Sequence, residues 1–346
     1  MVKVILLVLL IIPAFVFSQV RATDTTGGIP LDPWIEPMNK YLTLKLTQSS
    51  DIETLGVETN TNKIQLSPNT KTSTRLAFSY RFISFSLKYT AKFLPGNDDD
   101  QIRGKSKSGG FGFGFNFKHW QQELSYTKTK GYYLENTADY DPGWTSGKPY
   151  IQFPDLVYKN FEGITAYNFN PNFSVNAIAT QSARQLRSAG SFMPHALYRY
   201  YITDDRTVLT GNRLTQKANN FEFLLGAGYY YNFVARQKFY VALGLTPGIG
   251  IVFTNLTTRS VAESFQTKQN NAIFRIDGRA GIGYNGPRFF TGAYMRISGS
   301  SYKQGNTSVV TENDRVVFQG FVGYRLNAPK WMQKNVAAVG DKIGLK

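Results

Sequence analysis

Hydrophobic side chains recur at every second position through much of this chain. In GGFGFGFNFK (109 to 118), Phe111, Phe113, Phe115 and Phe117 fall on one side of an extended backbone, and Gly110, Gly112, Gly114, Asn116 and Lys118 on the other. Successive strand side chains point to opposite faces, so this is a β-strand with one strongly apolar face and one small or polar face. Residues 238 to 254 set Phe239, Val241, Leu243, Leu245, Pro247, Ile249, Ile251 and Phe253 against Lys238, Tyr240, Ala242, Gly244, Thr246, Gly248 and Gly250. Residues 221 to 233 do the same, with Phe221, Phe223, Leu225, Ala227, Tyr229, Tyr231 and Phe233 against Glu222, Gly226, Gly228 and Asn232. A soluble sandwich also alternates. Strand length, glycine on the second face and aromatics near strand ends favour an all-β, transmembrane, antiparallel up-and-down β-barrel.

Tight connections are expected at Arg81-Phe82, Lys118-His119, Asn170-Pro171, Val234 to Gln237 and Asn285-Gly286-Pro287, with long ones at 48–72, 91–108, 132–160, 255–270 and 303–313. Short turns on one side and long loops on the other are the habit of outer-membrane barrels, whose termini share the short-turn side. The pattern is met by about twelve strands, near 40–47, 73–81, 82–90, 109–118, 120–131, 161–169, 172–181, 219–233, 238–254, 271–284, 288–302 and 314–326. This places 182–218 outside, including the strand-like SFMPHALYRYYI (191 to 202), as a hairpin arm above the membrane or a loop folded inward. A fourteen-strand alternative would span with that segment but would invert the early turns.

Val4 to Phe17 is an apolar run after Lys3, leading to Val16-Phe17-Ser18-Gln19, and reads as a signal peptide cleaved after Ser18. The expected order is therefore a signal peptide (1–18), a periplasmic extension (19–39), a barrel (40–326) in the bacterial outer membrane, and a basic tail (327–346). Aromatics make up 15% of the residues and cysteine is absent, which removes disulfides, thiolate metal sites and lipid attachment at cysteine.

Charge then defines the second face. The inward register carries Arg75, Arg81, Lys88, Lys118, Arg184, Arg275, Arg279, Arg296, Arg315 and Arg325 against Glu123, Glu222 and Asp277. A bare charge facing hydrocarbon at midplane costs ~2 to 4 kcal/mol, so these residues are expected to line a cationic lumen. In 172–184, Phe173, Val175, Ala177 and Ala179 are expected outward, which sets Arg184 inward near the external mouth. The net charge of +16 comes from basic residues at alternate strand positions, not from a patch with stacking aromatics, so nucleic acid is not an expected partner.

AYNFNPNFSVNAIATQSARQLRSAGSF (166 to 192), HWQQELSYTKTKGYY (119 to 133) and Gly104-Lys105-Ser106 resemble an uncharacterised bacterial outer-membrane family, domain of unknown function 4421. The resemblance runs from about Tyr41 to Leu326. It implies a signal peptide and a barrel, and supplies no catalytic residue.

Motifs for other chemistry are weak. GIGYNG (281 to 286) has dinucleotide-fingerprint spacing but runs through a strand into a turn, where no helix N-terminus follows. Gly104-Lys105-Ser106 lacks the earlier glycine of a phosphate loop, where Asp99 stands, and Asp98-Asp99-Asp100 lacks calcium-loop spacing. His119 and His195 are the only histidines; His195 with Ser188 or Ser191 is the one arrangement open to hydrolysis. No metal or cofactor is expected.

Two functions remain. One is a passive channel or binding barrel whose cationic lumen favours small anionic solutes. The other is a non-conducting surface barrel or lipid-acting enzyme, with Tyr240, Phe290, Tyr294 and Phe321 filling the interior. Outer-membrane lipids, lipid A among them, are the expected surroundings.

Overall fold

The computed structural model describes residues 34–342, apart from 51, 53, 59–62, 95, 118, 212–213 and 302–314. The expected signal peptide lies outside the described residues. In chain order the strands are β1 (Ile35–Pro37), β2 (Tyr41–Ser49), β3 (Leu55–Glu58), β4 (Lys63–Ser67), β5 (Ser73–Tyr80), β6 (Ile83–Tyr89), β7 (Lys107–Phe117), β8 (Trp120–Leu134), β9 (Gln152–Tyr167), β10 (Ala183–Gln185), β11 (Ala189–Asp205), β12 (Thr215–Ala235), β13 (Phe239–Arg259), β14 (Ser264–Asn285), β15 (Phe289–Ser301) and β16 (Arg315–Asn327). The helices are α1 (Asp100–Arg103), α2 (Val175–Ile178) and α3 (Lys330–Lys342).

Twelve strands form a closed antiparallel ring in the order β2, β5, β6, β7, β8, β9, β11, β12, β13, β14, β15, β16, with β16 returning to β2. Closure leaves no unpaired edge, which a spanning sheet requires because lipid offers backbone groups no hydrogen-bond partner. Burial alternates as the sequence pattern demands. In β13, Phe239, Val241, Leu243, Leu245, Ile249 and Phe253 are exposed on the outside, while Tyr240, Ala242, Thr246 and Val252 are buried inside. In β7 the outward Phe111 and Phe113 are exposed and Gly112 and Gly114 are covered.

Outward aromatics are exposed near the short connections at Trp120, Phe192, Phe233, Phe239 and Phe289, and farther along the strands at Phe111, Phe161, Tyr200, Phe221, Phe253, Phe274 and Phe318. On β12, twelve residues separate Phe221 from Phe233 (233 − 221). At ~3.3 Å per residue and a tilt of ~45°, this gives a height of roughly 28 Å, the thickness of a hydrocarbon layer.

The short turns lie at one end with both barrel termini; we call this the turn end. Arg81 occupies the turn between β5 and β6 at φ +52°, so it belongs to no strand face. The opposite, loop end is partly roofed. The β3–β4 hairpin reaches past three strands to pair with the top of β8, Leu66 opposite Leu134, and Leu55 and Leu66 pack on Tyr132, Leu156 and Tyr158. Asn69 fastens this loop to the next, its amide donating to the Gly104 carbonyl at 2.7 Å.

The ring has the expected number of strands, and fourteen is excluded, but one member differs. Residues 172–181 are not a strand, and Asn170-Pro171 is not a tight turn. The spanning segment is β11, which contains the SFMPHALYRYYI stretch and pairs with β12 over 189–204 and with β9 over 195–205. The connection 168–188 folds into the barrel from the turn end, and its short helix α2 is capped by Ser174, whose Oγ accepts the Ala177 N–H at 3.2 Å. Phe173 and Ala177, expected to face lipid, are instead buried. The basic tail forms α3, with Trp331 exposed and Lys330, Lys334 and Lys342 along it.

Candidate functional site

The inward connection 168–188 is a plug. Phe173 and Ile178 enter an apolar cluster with Tyr240, Phe290, Tyr294 and Phe321 from the barrel wall, and Trp34 and Val175 pack on it. Close approach of these rings to the wall needs glycine on the neighbouring strand. A Cβ at Gly281 would stand 2.0 Å from the Tyr294 ring, and one at Gly323 would stand 2.1 Å from the Phe290 ring. Tyr240 and Tyr294 share a hydroxyl hydrogen bond of 2.7 Å, and Tyr294 also donates to the Ile178 carbonyl at 2.8 Å.

Two arginines pin the plug's backbone. Arg325, on β16, is 0% exposed and lies 4.9 Å above the Phe290 ring. Its Nε donates to the Gln181 carbonyl at 3.0 Å, and its terminal nitrogens donate to Gln181, the Gly286 carbonyl and Asn285 Oδ1. Gln181 takes φ +54°, a left-handed conformation that turns this carbonyl to the guanidinium. Asn285 completes the net by donating to Ala177 and Ala183 carbonyls at 3.2 and 3.1 Å.

Arg184, in the plug itself, donates to the carbonyls of Asn285 and Gln237 at 3.0 Å each, and pairs with the Glu36 carboxylate. Gln237 belongs to the Arg236–Gln237 turn, where both residues have positive φ (51° and 57°), as a type I′ hairpin requires. β10 pairs with β1, Arg184 opposite Glu36. Arg184 therefore lies at the turn end, not near the opposite mouth. The inward register predicted for it presupposed a spanning strand, and the plug supplies different neighbours.

Loopward of the plug, several of the expected inward cations gather around Lys45. Lys45 on β2 donates to the plug carbonyl of Ala179 at 2.8 Å, with its ammonium 4.2 Å from the Phe321 ring centre. Arg279, Arg75 and Arg296 are near enough to act on its charge, with Glu123 as the accompanying carboxylate. Arg279 and Arg296 are direct cross-strand partners, and so are Arg75 and Lys88. Like charges so placed repel. Lys45 was absent from the candidate set, although Leu42, Leu44 and Leu46 facing lipid require it to face inward.

A second set of charges, on β11, β12 and β14, is paired within itself. Glu222, 1% exposed, pairs with Arg199 and lies 3.8 Å from Arg275, whose Nε bonds Asp277 at 2.9 Å. Arg199 lies on β11, a segment expected either as a hairpin arm above the membrane or as a loop folded inward. Leu197, Leu224, Val252 and Ile273 form an apolar cluster beside this chain of charges. Glu123 is exposed within the lumen, where Gln121 donates to it at 2.6 Å. Lys118 and the side chain of Arg315 lie outside the described residues.

The weak motifs find structural settings. GIGYNG runs through the end of β14 into the turn before β15. Asp100 holds Lys92 at 2.9 Å, and Asp99 holds Arg103 at 3.4 Å. Ser188 Oγ accepts the Val234 N–H, and Ser191 Oγ donates to the Phe192 carbonyl and accepts the Asn170 N–H, while His195 lies over Gly226 inside the barrel. His119 Nδ1 lies 2.6 Å from the Asn168 carbonyl, beside the plug's first residue.

A lipid-facing exterior around a polar interior, closed at the turn end by the chain's own connection, defines a plugged transmembrane β-barrel. The chain belongs to the family described as domain of unknown function (DUF4421), which matches residues 24–326. No curated protein matches the sequence. Among solved structures, the unliganded ferric citrate transporter FecA aligns at 10% identity and a TM-score of 0.33, over 83% of this chain and 42% of that one. The chain thus spans less than half of that transporter's length. The outer-membrane protease OmpT from Escherichia coli aligns at 9% identity and 0.33, over 87% and 99%, and OmpT of Vibrio cholerae at 10% and 0.29, over 83% and 96%. These similarities transfer no activity to this chain.

Proposed function

We propose that the protein resides in the bacterial outer membrane, turn end to the periplasm, and takes small anionic solutes from the loop end into a cationic lumen. The observation that carries this is the paired placement of Arg279 opposite Arg296 and of Arg75 opposite Lys88, with Lys45 beside them. A field of that sign concentrates anions. The plug beneath makes this a binding barrel whose resting state holds its solute, in place of an open passive pore. Outer-membrane lipids, lipid A among them, would surround the aromatic belts. The sequence supports the location through a secretory-type N-terminus joined to a barrel.

The test combines planar-bilayer recording with thermal melting in detergent. Anion-selective current, or a melting temperature that rises with specific added anions, supports the reading, and either effect should fall in Arg279→Glu and Arg296→Glu. A protein that neither conducts nor responds to anions refutes it. That result would leave the second reading, a non-conducting surface barrel, which the plug and the β3–β4 roof favour.

A further inference from the structure

We infer that the turn end of the barrel docks on an anionic glycerophospholipid surface, through a rim of basic side chains and the helix α3. The inference needs the barrel to span a membrane and does not depend on what the lumen holds. Cations stand at this end around much of the ring: Arg236 and Lys238 between β12 and β13, Arg288 between β14 and β15, Lys330 after β16, Lys40 before β2, and Arg81 between β5 and β6. Lys40, Arg236, Lys238 and Lys330 are exposed, and Arg81 and Arg288 partly so. Arg288 is fixed at the rim, donating to the Arg325 carbonyl at 3.1 Å with its guanidinium 4.4 Å from the Tyr41 ring centre. Among the described residues, the acids at this end are Glu36, which Arg184 engages, and Asp341 in the last turn of α3, which Lys342 follows. The loop end mixes both signs, exposing Asp98, Glu135, Asp139 and Asp141 together with Lys105 and Lys148.

The rim lies at the depth of lipid headgroups. Arg236 comes three residues after the outward Phe233 (236 − 233), and Lys238 immediately precedes the outward Phe239. At ~3.3 Å per residue these charges stand within roughly 10 Å of the last lipid-facing rings, where the hydrocarbon gives way to phosphates. The helix is tied to the same level. Ala328 donates its N–H to the Lys40 carbonyl at 3.0 Å, which fixes the start of α3 beside the entry to β2. Trp331 follows the outward Leu326 by five residues (331 − 326), so the chain holds it within about 18 Å of that side chain.

Trp331 is 64% exposed and Val339 48%. With Ala338 they form one stripe, at helical positions i, i+7 and i+8, and the exposed Lys334 adjoins it, three residues from Trp331 and four from Ala338. Indole rings collect at the boundary between hydrocarbon and headgroups, and a lysine lays its stem along apolar surface while its ammonium reaches phosphate. A short helix of this kind lies in the interface, and juxtamembrane cations favour anionic lipid over zwitterionic lipid. In the orientation proposed above, this surface is the periplasmic leaflet.

The experiment uses the full-length barrel in vesicles of equal parts phosphatidylcholine and phosphatidylglycerol, with spin-labelled forms of both lipids as probes. The labelled phosphatidylglycerol should associate with the barrel at least ~threefold more than the labelled phosphatidylcholine, a ratio falling towards one in ~0.5 M salt. Lys40→Gln, Arg236→Gln, Lys238→Gln, Lys330→Gln and Lys334→Gln combined should remove most of the preference. Lys92→Gln, Lys105→Gln, Lys107→Gln, Lys148→Gln and Lys268→Gln combined, at the loop end, should leave it. Because the chain has no cysteine, Val339→Cys can carry a single environment-sensitive fluorophore. Its emission should shift to the blue in the mixed vesicles relative to phosphatidylcholine alone, and Trp331→Ser should abolish the shift. Heat-modifiable gel migration checks that each variant is a folded barrel.

Equal association of the two lipids overturns the inference, and so does a preference that survives the turn-end substitutions or is lost equally with the loop-end ones. A fluorophore at position 339 as wet in mixed vesicles as in phosphatidylcholine also overturns it. Shielding that instead grows with protein concentration in detergent assigns the helix face to a second copy of the chain, against the lipid surface. None of these outcomes bears on solute binding or current, so the lumen reading stands or falls separately.

Discussion

Replacing Arg325 with Met tests whether the plug is seated by backbone carbonyls gathered around one buried cation. The guanidinium is fully buried and bonds Gln181, Gly286 and Asn285. Methionine keeps much of the apolar stem against Phe290 but leaves these acceptors without their donor. An acceptor left unsatisfied in a buried site costs ~1 to 3 kcal/mol. The desolvation cost of the arginine itself is recovered, which offsets part of the loss at these three neutral acceptors. The plug retains the Tyr294 bond to Ile178 and the Lys45 bond to Ala179. The barrel should therefore survive while the plug opens more often, by roughly two to three powers of ten. The plug carries its own reporter, the buried Arg184, which trypsin can cut only when the segment leaves the lumen. The expected result is cleavage after Arg184 at least ~100-fold faster in Arg325→Met, in a regime where cleavage follows the open population. Arg325→Lys should fall between the two. A folded Arg325→Met barrel cut no faster than about threefold over the unaltered protein would refute the idea that these bonds seat the plug.

Leu245→Arg, facing outward near the middle of β13, should cost ~2 to 4 kcal/mol in urea unfolding from lipid vesicles, whereas the same charge at inward positions is already accepted in the native chain. Gly281→Ala places a methyl group in the Tyr294 ring and should destabilise by ~1 to 3 kcal/mol; in a Tyr294→Ala background its cost should fall below about 1 kcal/mol, as a double-mutant cycle will show. Glu222→Gln removes the buried carboxylate shared by Arg199 and Arg275 and should cost about 3 to 5 kcal/mol, against ~0 to 1 kcal/mol for Lys130→Ala, whose pair with Asp155 is half exposed. Equal losses in those last two variants would show that burial does not set the worth of these pairs.

The period-two pattern was readable in the strands because lipid and lumen impose opposite demands on consecutive residues, as Phe239 to Phe253 on β13 illustrates. It misled at 172–181 for a physical reason. Phe173, Val175 and Ala177 alternate with polar residues as a spanning strand would, but the same spacing lets Phe173 and Ala177 bury inside the barrel while Ser174 caps α2. What decided between the two was remote: Gly281 and Gly323 make room for Tyr294 and Phe290, and Arg325 supplies the donors the plug's carbonyls need. None of these is a neighbour in sequence. A local pattern cannot report them.

The candidate site shows the same division. Inward parity identified Arg75, Lys88, Arg279 and Arg296 one at a time, yet it could not say that two direct like-charged pairs would share a wall, because this depends on register between strands. Register also sets Glu222 opposite Arg199, whereas Asp277 meets Arg275 two residues away on the same strand. A uniformly cationic pore would need no such sorting. Glu222, Arg199, Arg275 and Asp277 pair across β11, β12 and β14, while Arg279 meets Arg296 between β14 and β15, and it is strand register, not residue parity, that sets Glu222 opposite Arg199 and Arg279 opposite Arg296.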